Sequence, residues 1–194
     1  MRSTVTIAAL CGFLLSVGLA QVRPRPYLQP TRLEAFAGQP TAKVTWSRGV
    51  GQIESDEARV IVTALMIKDA VQPPHQMCGI RIDLANQNAR DQIYLEESKL
   101  EAVRKALEEI ESGIEGYRKE PADSPYRYYG AAEFWHPHLE VHTLNAAYYI
   151  APDSSGLSLS AYKGQGFRFP DHRPSELAKV IRTAMDEVKR HCGN

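Results

Sequence analysis

The sharpest chemical pattern in this 194-residue chain is His136-Pro-His-Leu-Glu-Val-His142, where three of the six histidines crowd into one short stretch. On a β-strand, side chains alternate between two faces. His136, His138, Glu140 and His142 then share one face, and Pro137, Leu139 and Val141 share the other. Imidazole and carboxylate are ligands for zinc and copper. Such a row extends about 20 Å, so one ion meets at most an adjacent pair plus a ligand from elsewhere. Pro137 confines the segment to an edge strand or its entry. The plainer reading is the wet face of a one-sided strand. Its imidazoles would titrate near pH 6.5 and make that surface pH-responsive.

A second pattern is aromatic. Most of the Phe, Tyr and Trp residues fall between Tyr126 and Phe169. Tyr126, Tyr128, Tyr129 and Trp135 are the candidates for a ligand platform, because rigid rings offer a large contact area to a sugar ring, a peptide or an apolar ligand. The competing use of the same residues is core packing in strands.

The third pattern is cysteine. Cys11 lies inside an apolar N-terminal run, leaving Cys78 and Cys192 as a pair. A bridge between them would close a loop of over a hundred residues and contribute about 4–5 kcal/mol in the chain-entropy model. The alternative is two free thiols held apart, since bridging needs close Cα atoms.

Familiar catalytic signatures are missing. The chain has no G-x-S-x-G elbow, P-loop, G-x-G-x-x-G or H-E-x-x-H. Gly164-Gln-Gly166 is the length of a hairpin turn. The 23 Lys+Arg balance 23 Asp+Glu. That balance excludes a dedicated nucleic-acid binder.

The N-terminus predicts the compartment. Arg2, the apolar run Ile7 to Leu15, and Gly18 and Ala20 at −3 and −1 describe a signal peptide over residues 1–20, cut before Gln21. Its removal takes one Arg and no acid, so the mature charge is 22 − 23 = −1. The expected location is secreted or periplasmic, an oxidising setting where a disulfide persists. No integral membrane span is expected after that cut.

These residues need a scaffold to place them. Residues 21–41 are proline-rich and read as an extended, mostly unstructured leader or linker. Lys43 to Arg48 reads as a short strand, Arg59 to Ile67 as a central one and Ile80 to Leu84 as a one-sided one; Gln92 to Leu95 is a further short strand. Ser98 and Glu101 fit a capping box for a helix over about 98–113, with Leu100, Val103, Leu107, Ile110 and Ile114 as its apolar stripe and Gly113 as its stop. Tyr126 to Leu144 reads as one or two strands, followed by Ala147 to Ile150, Leu157 to Tyr162 and Phe167 to Phe169. A last helix is expected over about 174–191, with Pro174 at its first position and Leu177, Val180, Ile181, Ala184 and Val188 buried.

Placing Ser98 over Ser175 puts Leu100 on Leu177, Val103 on Val180, and Ile80 and Ile82 on Leu157 and Leu159. A pseudo-repeat over 58–115 and 126–191 is one explanation; shared amphipathic pattern is the other. The expected fold is α+β: a mainly antiparallel sheet with two amphipathic helices, forming a single domain over 42–194. The expected function is an exported, non-catalytic binding or accessory protein, whose partner is a protein, an envelope component or a small ligand. No cofactor is expected. The alternative is a zinc or copper protein using the histidine strand; a metal-assisted enzyme ranks third.

Overall fold

Arg59 to Ile67 is β-branched and apolar on both faces, and such a run is stable only with cover on both sides. The computed structural model, which describes residues 31–71, 75–121, 124–129, 144–161 and 166–193, provides that cover. The element order is α1 (Arg32–Ala37), β1 (Ala42–Glu54), β2 (Ala58–Asp69), β3 (Gln76–Asn86), β4 (Arg90–Glu96), α2 (Glu97–Lys119), β5 (Arg127–Tyr129), β6 (Asn145–Ile150), β7 (Ser155–Ser160), β8 (Gly166–Pro170) and α3 (Pro174–Cys192). Two four-stranded antiparallel meanders result, β1-β2-β3-β4 and β5-β6-β7-β8, each followed by a long helix. The fold is therefore α+β and dominated by antiparallel sheet. Ile80 and Ile82 lie on the third strand of the first sheet, and Leu157 and Leu159 on the third strand of the second.

The main core joins both halves. Val60, Val62 and Ala64 of β2 and Ile80, Ile82 and Leu84 of β3 meet Leu100, Val103 and Leu107 of α2 and Leu177, Ile181 and Val188 of α3. Ala146, Tyr148, Leu157, Leu159, Phe167 and Phe169 from the second sheet belong to the same buried cluster. On β2 the buried parity switches at Ala64–Leu65, so Leu65 and Ile67 face the other side of the sheet. There α1 covers them with Leu33 and Phe36.

That helix is a departure from the expected leader. Thr31 caps it, accepting a hydrogen bond from the Glu34 amide at 3.0 Å. Its two apolar residues, three apart, are inconspicuous between prolines, yet they fit the patch over Gly79. A Cβ on Gly79 would collide with the Leu95 carbonyl oxygen and lie 2.7 Å from Leu33 Cδ2. The bare glycine lets α1 sit flat on the strands.

Two boundaries also moved. The first strand runs on to Glu54, with register shifts at Val44/Trp46 and Gly49/Gly51. Such bulges discourage pairing along an exposed edge. The first long helix begins at Glu97, with Glu96 as its cap in place of Ser98, and passes through Gly113 to Lys119. Gly113 is there for clearance: a side chain would collide with the Tyr129 hydroxyl.

Two ion pairs join the two long helices. Arg104 holds Glu101 and Glu108, and Arg182 reaches the same Glu108 at 2.8 Å. Glu111 of α2 accepts from Arg173 at 2.6 Å and from the Ser175 amide at 3.2 Å, so one helix caps the start of the other. Glu187, buried on α3, takes Arg190 at 2.6 Å and Arg48 of β1 at 3.0 Å. Cys78 on β3 and Cys192 at the end of α3 are bonded, with Cα atoms 6.4 Å apart. Beside them His191 stacks on Trp46 at 4.0 Å. No helix among the described residues is long and apolar enough to cross a membrane.

Candidate functional site

Alternation on the second sheet decides what reaches solvent. On β7 Leu157 and Leu159 are buried while Ser158 and Ser160 are not; on β8 Phe167 and Phe169 are buried while Arg168 is exposed. Register then lines up the outward residues. Asn145, Ser160 and Gly166 form one cross-strand row, and Ala147, Ser158 and Arg168 form the next. In a third row the exposed Tyr128 pairs with Tyr149, whose side chain is buried.

These rows floor a cleft of about 540 Å³. Glu57, from the turn between β1 and β2, and Asn86, from the end of β3, complete its wall. The cleft thus lies where the two halves of the fold meet, and its volume is ordinary for a small-molecule site.

Its polar groups differ in how far they are committed. Asn86 Oδ1 accepts from the amides of Asn88 (2.8 Å) and Ala89 (2.7 Å), which leaves the Nδ2 group to donate. Asn145, Ser158 and Ser160 direct no side-chain hydrogen bond to another described residue. Arg168 is held in place: its Nη2 donates to the Tyr128 hydroxyl at 2.8 Å, and its guanidinium lies 5.4 Å from the Tyr149 ring centre. The Tyr128 hydroxyl and, further off, Glu57 hold Arg168 firmly in its charged form. Burial pushes the Tyr149 phenol up, so it stays neutral.

The turn carrying Glu57 is anchored from behind. His172 lies against Glu176 Oε2 through Nδ1 and against the Glu54 carbonyl through Nε2, each at 2.9 Å. Both neighbours are acceptors, so the doubly protonated ring satisfies both. Burial opposes that charge, but the bonds to Glu176 and Glu54 outweigh it, and the His172 pKa is raised. A group with a raised folded-state pKa stabilises fully below its unfolded value near 6.5, and that contribution is lost as pH rises through the folded value. His172→Gln is therefore expected to cost up to about 1 kcal/mol more at pH 6 than at pH 9. Thermal melts of both proteins at the two pH values check it; an equal cost at both removes the charged-ring account.

The sequence-predicted residues divide. Tyr128 lines the cleft and is 53% exposed. Tyr126, 57% exposed, lies just before β5 and does not line it. Tyr129 points the other way and stacks on Tyr117 of α2 at 4.6 Å. Trp135, His136, His138, Glu140 and His142 lie outside the described residues. Among the described residues no group of three His, Cys, Asp or Glu side chains is placed to hold a metal ion. Sequence reasoning missed Glu57, Asn86, Asn145, Ser158, Ser160 and Arg168. The alternation in Leu157-Ser-Leu-Ser160 and Phe167-Arg-Phe169 marked one-sided strands, but nothing local marked the turn that converts their wet face into a cleft.

Comparison with known protein families, with curated proteins and with solved structures finds no match for this chain.

Proposed function

We propose that this is an exported, non-catalytic binding protein that takes a small polar ligand in the cleft on the outer face of the second sheet. The observation that carries the reading is the set of Asn145, Ser158 and Ser160 in two adjacent outward rows, polar side chains with no bond to a described residue, facing a 540 Å³ space beside a fixed arginine. These half-buried groups are left to bond water, and a polar ligand that reproduces those bonds can take the water's place. The export signal and the Cys78–Cys192 bond support the compartment, because such a bond persists outside the reducing cytosol. Among the described lining residues Glu57 is the one carboxylate, and no second acid or base stands beside it.

The test is an amide shift map of the purified, disulfide-intact chain against pooled neutral saccharides, amino acids, nucleosides and organic acids. We expect shifts at Asn145, Ala147, Ser158, Ser160, Gly166 and Arg168. Shifts confined to another surface, or turnover of any pooled compound, overturn the reading.

A further inference from the structure

The geometry points to a neutral, hydroxyl-rich ring, a mono- or disaccharide, as the ligand class of this cleft. The inference rests on the binding reading above and narrows it.

Charge comes first. Among the described lining residues, Glu57 and Arg168 are the two that carry a charge at neutral pH, and they cancel. A cleft that selects an anion or a cation carries an excess of the opposite sign, because the field of the site does the selecting. The described lining of this one carries no such excess.

Hydrogen-bonding type comes next. Ser158 and Ser160 each present a hydroxyl that both donates and accepts. Asn145 presents both roles on one planar amide, and Asn86 is left with its donor. Glu57 accepts; Arg168 donates through the N–H groups not used on Tyr128. A sugar hydroxyl also donates and accepts, so an array of mixed polarity can satisfy several of them at once. An apolar ligand would strand the same groups without partners, at a cost for each.

A peptide is disfavoured by the floor. β7, at the centre of the floor, is paired on both sides, and in the described sheet β8 is the edge strand, so an extended peptide would add along the outer side of β8, beside the cleft and not over its face. Main-chain recognition by strand addition needs a free edge.

The aromatic comes last. Tyr128 stands at the rim, half-exposed, with its hydroxyl tied to Arg168. A tethered ring loses little freedom when a ligand packs on it, and its face is suited to the C–H side of a pyranose. Hydroxyl-bonding groups on the floor and a ring on the rim match the two chemically distinct aspects of a sugar.

The experiment is calorimetric and NMR titration of the disulfide-intact full chain with glucose, N-acetylglucosamine, maltose and cellobiose, alongside citrate, glutamate and adenosine. At least one neutral saccharide is expected to bind and to shift Ser158, Ser160 and Arg168 amides. Tyr128→Ala is expected to weaken that binding about tenfold, and Tyr128→Phe, which keeps the ring, less than threefold. Tyr128 is exposed, so both variants are expected to melt with the parent. Binding of citrate, glutamate or adenosine at the same amides, without any saccharide, overturns the ligand class and leaves the binding reading standing. Equal loss in both Tyr128 variants also overturns the stacking account. No shift in the cleft with any of the seven compounds overturns both.

Discussion

Cys78→Ala combined with Cys192→Ala is expected to lower the stability of the chain by about 4–5 kcal/mol, measured by urea unfolding at 25 °C. The two cysteines are separated by 114 residues, so the bond removes a large loop entropy from the unfolded chain. Its position adds a native-state role. It ties the last turn of α3 to the third strand of the first sheet, at the end of the helix where Trp46 and His191 stack. Most of the contact between the halves runs through α2 and α3, so freeing that helix end loosens the shared core. Reducing the parent with dithiothreitol should reproduce the loss and should leave the double variant unchanged. A loss below about 1 kcal/mol would mean that the bond constrains little, and would remove the oxidising compartment as a requirement for this fold.

That bond shows what a sequence can and cannot hold. The pairing was legible once Cys11 was assigned to the signal peptide, because only two thiols remained. The distance was not, since it depends on how β3 and α3 pack. The same division runs through the fold. Both long helices, and strands such as Ile80 to Leu84, were legible because each has a period that a single face can explain. The helix at Arg32–Ala37 was hidden because six residues carry too little period, and flanking prolines suggested extended chain. Gly113 was misleading in a different way. It resembled a stop, but its missing side chain makes room for Tyr129, a residue of another element. Glycines at close approaches cannot be told from glycines at helix ends without the neighbour. The site follows the same rule. The strands that carry Ser158, Ser160 and Arg168 were legible, but the meeting of those side chains with Glu57 is a matter of tertiary placement.

Within β8 the two roles separate residue by residue, and this gives the second large effect. Phe169→Ala is expected to cost about 3–5 kcal/mol, because the ring is fully buried, pairs across the strand from Leu157, and leaves a cavity that β-sheet backbone cannot close. Phe169→Leu, which refills much of the volume, should cost under about 1.5 kcal/mol. The neighbouring side chain points the other way. Arg168→Ala removes an exposed group whose hydrogen bond goes to another half-exposed side chain, so its stability cost should stay within about 0.5 kcal/mol. If the outward row exists for a ligand, Arg168→Ala removes cleft binding while the urea midpoint stays put. Phe169→Ala moves the midpoint, and at temperatures where it remains folded it weakens binding only through the loosened strand. Equal stability costs at the two positions would show that β8 is not one-sided, and the cleft would then have no floor. Unequal costs with unchanged binding in Arg168→Ala would keep the fold and remove the arginine from the site. The strand's alternation, two phenylalanines inward and one arginine between them outward, is what makes the two measurements independent.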